Sequence, residues 1–106
     1  MATGRLGIQD LVAITNTTLY TCPATTFSVV NVSLCNRNST SVTVRLALTT
    51  TLAVSDNSYL EYGVTIPANS VLERTGIAMT TGQLLVVYAS STGVSAVAYG
   101  IETSTS

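Results

Sequence analysis

Between Phe27 and Leu48 apolar and polar residues alternate along the chain. Val30, Val32 and Leu34 alternate with Asn31, Ser33 and Cys35; after a polar break, Val42, Val44, Leu46 and Leu48 alternate with Thr43, Arg45 and Ala47. In extended chain this period puts the even-numbered apolar side chains on one face. The break, Asn36-Arg37-Asn38-Ser39-Thr40, holds residues that tolerate turn geometry. The pattern therefore predicts a long β-hairpin, with Leu34 opposite Val42, Val32 opposite Val44 and Val30 opposite Leu46. A slip of one residue would throw one apolar set into solvent, which favours a loop of odd length.

Other stretches carry the same signal. Strands are expected at Ile8–Ile14, Thr18–Cys22, Tyr59–Val64, Val71–Met79, Gln83–Ala89 and Val94–Ile101, with Pro23 closing the second. Asp56-Asn57-Ser58, Pro67-Ala68-Asn69, Thr80-Thr81-Gly82 and Ser90 to Gly93 supply turn residues. About eight short strands without a helical stretch predict an all-β domain, an antiparallel β-sandwich with jelly-roll connections. Residues 1–7 are expected as a flexible arm, 8–102 as a single sandwich domain and 103–106 as a polar tail.

The last two strands raise a question of cover. Pairing Ala89 with Val94 would give a hairpin with Leu85, Val87, Val94, Ala96 and Ala98 on one face. The other face would hold Leu84, Val86, Tyr88, Val97 and Tyr99. Antiparallel pairs at a free surface are polar on one side. Here both sides are apolar, so one is expected to be covered by a loop or by a neighbouring subunit.

Composition favours the subunit. Only 8% of residues are charged, against about 25% in an ordinary domain. Ser and Thr fill 31 of the 106 positions, and there is no Lys, His or Trp. No charge lies between Asp10 and Arg37, or between Arg74 and Glu102, so little keeps copies apart. Four dispersed Arg residues cannot supply a phosphate-neutralising stripe, which argues against nucleic acid. The uncharged run from Thr75 to Ile101 is broken by Gly76, Gly82 and Gly93, which argues against a membrane span. Nothing near Met1 resembles an apolar signal core, so secretion is not expected.

Catalysis has little to work with. Asp10, Asp56, Glu61, Glu73 and Glu102 are the only carboxylates and form no acid–base motif. Cys22 and Cys35 lack a His that could act as base or complete a metal set, and are expected to be buried free thiols. No enzyme, cofactor or metal is expected. Asn16, Asn31 and Asn38 begin glycosylation triplets that a Ser/Thr-rich chain forms by chance. Tyr20, Tyr59, Tyr62, Tyr88 and Tyr99 leave sugar binding open, against the plainer reading of tyrosines at core margins.

Leu60-Glu61-Tyr62, Val71-Leu72-Glu73-Arg74-Thr75-Gly76 and Tyr99-Gly100-Ile101-Glu102 resemble segments of small structural proteins of tailed bacteriophages, cyanophages included. Leu19-Tyr20-Thr21-Cys22-Pro23-Ala24 and Leu34-Cys35-Asn36-Arg37 are similar in character. The resemblance implies a non-enzymatic virion protein. The favoured role is a capsid decoration (cement) protein on the capsid exterior, assembled in the host cytoplasm. It would form a homotrimer and bind the major capsid protein or another virion protein. The alternative is a tail-fibre or baseplate adhesion module that binds a host surface glycan. Arg45, Glu73, Arg74, Leu84, Leu85, Val86, Tyr88, Val97 and Tyr99 are the expected subunit or capsid contacts. The last six of these would be presented by the C-terminal hairpin.

Overall fold

A computed structural model describes residues 3–52, 54 and 56–104. Eight strands are present: β1 Thr3–Asp10, β2 Thr17–Thr21, β3 Thr26–Asn36, β4 Val42–Thr49, β5 Tyr59–Ile66, β6 Val71–Thr80, β7 Leu84–Ala89 and β8 Val94–Ser104. One 3-10 turn, Asp56–Ser58, precedes β5. The strands form two four-stranded sheets, β1-β8-β3-β6 (sheet I) and β2-β7-β4-β5 (sheet II), and every ladder within them is antiparallel. The pairs β1–β8, β2–β7, β3–β6 and β4–β5 make one long ribbon folded over at the β4–β5 connection. That is jelly-roll topology.

The expected central hairpin is not formed. Both strands exist where the alternation puts them, but β3 lies in sheet I and β4 in sheet II. Val30, Val32 and Leu34 do share a core with Val42, Val44 and Leu46, as residues of two different sheets rather than as cross-strand partners. The break is a crossover fixed by Asn36, whose side chain is fully buried. Its amide donates to the carbonyls of Thr40 (2.9 Å), Ile66 (3.1 Å) and Pro67 (3.1 Å), and its Oδ1 accepts from the Asn38 N–H (2.9 Å). The Arg37 N–H donates to the Gly93 carbonyl at 2.9 Å, and the Asn38 amide to the Thr92 carbonyl at 2.7 Å. Two asparagines thus tie three inter-sheet connections together at one end of the sandwich.

The C-terminal hairpin is likewise absent, because β7 belongs to sheet II and β8 to sheet I. The first of its two expected faces is the core: Leu85, Val87, Ala89, Val94, Ala96 and Ala98 are fully buried. The other is split between the two outer surfaces of the molecule. Leu84, Val86 and Tyr88 face outward from sheet II, whereas Val97 and Tyr99 face outward from sheet I.

Strand bounds also differ. β1 starts at Thr3, inside the stretch expected as an arm, and ends at Asp10 rather than Ile14. Leu11 turns into the core and Ile14 takes a φ of 55°, unfavourable for a β-branched residue, to donate to the Ala89 carbonyl at 2.9 Å. Gly7 marks where β1 closes on β2, since a Cβ there would lie 2.2 Å from the Leu19 carbonyl oxygen. β8 runs through Thr103 and Ser104, part of the expected tail; Met1, Ala2, Thr105 and Ser106 lie outside the described residues. Cys22 is buried and Cys35 half-buried, both as free thiols.

Candidate functional site

The carboxylates are dispersed. Asp10 pairs with Arg37 at the surface. Glu61 accepts from Arg74 at 2.7 Å, Glu73 from the Tyr99 hydroxyl at 3.2 Å and Glu102 from the Tyr20 hydroxyl at 2.6 Å. Nothing is described of the Asp56 side chain. Among the described residues no group of three or more His, Cys, Asp or Glu is placed to hold a metal ion. Arg74 and Glu61 sit opposite Val32 and Leu46, on the inward rows of the two edge strands β6 and β5. Their ion pair therefore closes the open side of the sandwich. Glu73, one residue away, points outward, as strand alternation requires.

Tyr20 and Glu102 meet between the sheets. A bulge in β2 at Leu19 turns both Leu19 and Tyr20 inward. Burial pushes the Tyr20 hydroxyl pKa well above its ordinary 10.0, and the hydrogen bond to Glu102 adds to the rise. Ser28, fully buried beside them, is 3.6 Å from the Cys22 sulfur. The Cys22 thiol donates to the Thr26 carbonyl at 3.4 Å and Glu102 is held by the Tyr20 hydroxyl, so the cluster packs the space between the sheets.

The outer surfaces hold the remaining candidates. On sheet II, Arg45 of β4 stands opposite Tyr62 of β5 and Tyr88 of β7. Its guanidinium lies over both rings, 4.6 Å from the Tyr62 centroid and 4.3 Å from that of Tyr88. Tyr59 meets Tyr62 edge-on, with centroids 4.8 Å apart. In the next row outward-facing Ala47 and Val86 are nevertheless buried. The Asn16 side chain, beside the start of β2, donates to the Leu52 carbonyl of the β4–β5 connection at 3.4 Å, a link between the two flanks of β7. The chain itself covers Val86.

Sheet I is uncovered. Arg5, Tyr99 and Asn31 form a polar row across β1, β8 and β3. On one side of it lie Ile8 and Val97; on the other lie Ile101, Val29 and Ala78, with Phe27 beyond. Ile8, Phe27, Val29 and Ile101 are between 44% and 56% exposed, so the rows form a real apolar surface. Of the nine expected contact residues, only Val97, Tyr99 and Glu73 face outward on this sheet. Leu85 is in the core, Val86 is covered, and Arg45, Leu84 and Tyr88 belong to the opposite surface. Phe27, Val29 and Ile101 fall on odd positions, outside the even-numbered apolar set, and the adjacent apolar pair Val29-Val30 is their signal in the sequence.

Fold and surfaces together define a jelly-roll sandwich with one open apolar sheet and one aromatic one. In comparisons with known proteins no family model matches the chain, and no curated protein or solved structure does.

Proposed function

We propose that this chain is a non-enzymatic virion structural protein, a capsid decoration protein that pairs with copies of itself and braces the phage head. The observation that carries the reading is the apolar outer surface of sheet I. A second copy is the occupant its charges fit. Arg5 on the β1 edge has no ion-pair partner among the described residues, and Glu73 lies on the opposite β6 edge, one same-face step of about 7 Å along the strands. A two-fold axis in the plane of the sheet, parallel to the strands, would bring Arg5 of each copy to the β6 edge of the other, one same-face step of about 7 Å from Glu73, a gap that a long arginine side chain spans. The same operation lays the Ile101–Val29 row on its own equivalent. Such a contact is isologous and closed, so it favours a dimer over the trimer the resemblance implies. Sparse charge elsewhere permits close packing against a shell, and binding only the assembled lattice would stabilise it by mass action.

Antibody labelling of purified particles tests the role. The expected result is regular decoration of the head exterior. Label confined to the tail, or absent from intact particles, would overturn it.

A further inference from the structure

On the opposite surface, Arg45 holds an unusual position. It is half-buried between two tyrosines, yet none of its five N–H donors has an acceptor among the described residues, and no described carboxylate reaches it. Stacking on rings satisfies the face of a guanidinium, not its edge, because the donors lie in its plane. The rings also restrain the side chain, so less freedom is lost when an anion arrives. The described carboxylates of the chain all have partners of their own. A carboxylate brought by a ligand fits the open fork of the guanidinium.

The surroundings narrow the class. The hydroxyls of Tyr59, Tyr62 and Tyr88 make no hydrogen bond with any described residue, and Tyr62 is 60% exposed. A single Asp or Glu side chain would use the fork and leave these hydroxyls idle. A hexuronic acid carries a carboxylate and ring hydroxyls on one rigid ring, which matches a cation bordered by phenols. We infer that the Arg45–Tyr62–Tyr88 row, with Tyr59, is a binding site for a carboxylated saccharide. The site lies on sheet II, away from the surface proposed for self-pairing, so a copy paired through sheet I would keep it open.

The test is titration of the full chain with trigalacturonate, followed by amide chemical shifts. Maltotriose serves as the neutral control and triglutamate as the carboxylate-only control. Saturable shifts clustered on β4, β5 and β7 are expected with trigalacturonate alone. Arg45→Lys keeps the charge but loses the planar fork and should weaken binding about tenfold or more. Tyr62→Phe, which removes one hydroxyl and keeps the ring, should weaken it about threefold. Both variants should keep the dispersed amide spectrum of the parent. No saturable binding, equal binding of triglutamate, or binding unchanged in a folded Arg45→Lys variant would each overturn the assignment. Oligomer mass is unaffected by any of these outcomes, so the assembly reading stands or falls separately.

Discussion

The two outer surfaces of this sandwich are built from the same alternation and end up opposite in character. On sheet II, outward-facing Ala47 and Val86 are buried within their own chain, on the surface where Asn16 links the start of β2 to Leu52 of the β4–β5 connection. On sheet I, outward-facing Phe27, Val29 and Ile101 stay about half exposed among the described residues. Strand alternation therefore decides which side chains leave the core, while the rest of the chain decides whether those side chains meet water. An apolar outward row is a candidate contact only where the chain leaves it exposed.

The largest expected effect breaks the comparison at its sharpest point. Val86→Asp buries a carboxylate on the outer face of sheet II, one row from Arg45, and should still cost about 2–4 kcal/mol of folding stability. Val29→Asp, the same change on the open sheet, should cost no more than about 0.5 kcal/mol. Urea unfolding at submicromolar concentration, where pairing of copies contributes least, measures both. Equal losses would mean that the two surfaces are not different in kind.

Two tyrosine–glutamate bonds sharpen it further, one between the sheets and one on sheet I. Tyr20→Phe leaves Glu102 without its 2.6 Å donor in a half-buried position and should cost about 1.5–3 kcal/mol. Tyr99→Phe removes a longer bond to exposed Glu73 and should leave the urea midpoint in place. With pH the pair differs in degree: desolvation and Glu73 also raise the Tyr99 pKa, but the large rise is at Tyr20. Burial raises the Tyr20 pKa in the folded chain above its unfolded value of 10.0, so above pH 10 the unfolded state loses a proton that the folded state keeps. Stability should then be flat below pH 10 and fall above it, by up to about 1.4 kcal/mol per pH unit from this group. In Tyr20→Phe the fall should be shallower. An identical alkaline slope in parent and variant would contradict the placement of Tyr20.

The smallest effect concerns the open side where the two sheets' edges meet. Arg74→Gln should cost only about 0–1 kcal/mol, because the Arg74 side chain is 44% exposed and solvent screens its pair with Glu61. The loss should shrink further in molar salt, read again by urea midpoint.

How much of this was legible in the sequence follows from what alternation encodes. It located β3, β4, β7 and β8 and named most of the core, from Val30 to Ala98, since burial on one face is a local property. It could not name neighbours. Consecutive strands ordinarily pair, but here every connection except β4–β5 crosses to the other sheet, so Leu34 and Val42 share a core without pairing. That crossover is set by Asn36, whose three carbonyl partners lie up to 31 residues away. The aromatic row depends on bulges between Val44/Arg45 and Leu46/Ala47 in the β4–β5 ladder, which shift Tyr62 opposite Arg45. No spacing rule predicts those shifts. Arg45 itself stood out by its outward position among apolar neighbours.

The central claim is that sheet I is where copies meet, and light scattering after size exclusion tests it most directly. At micromolar concentration the parent chain should run at about twice its 11.0 kDa mass, and Val29→Asp should return it to a single copy without unfolding it. Arg5→Glu should weaken the pair, and Arg5→Glu combined with Glu73→Arg should restore it. A parent chain that stays at 11.0 kDa, or an oligomer indifferent to Val29→Asp, would contradict the account.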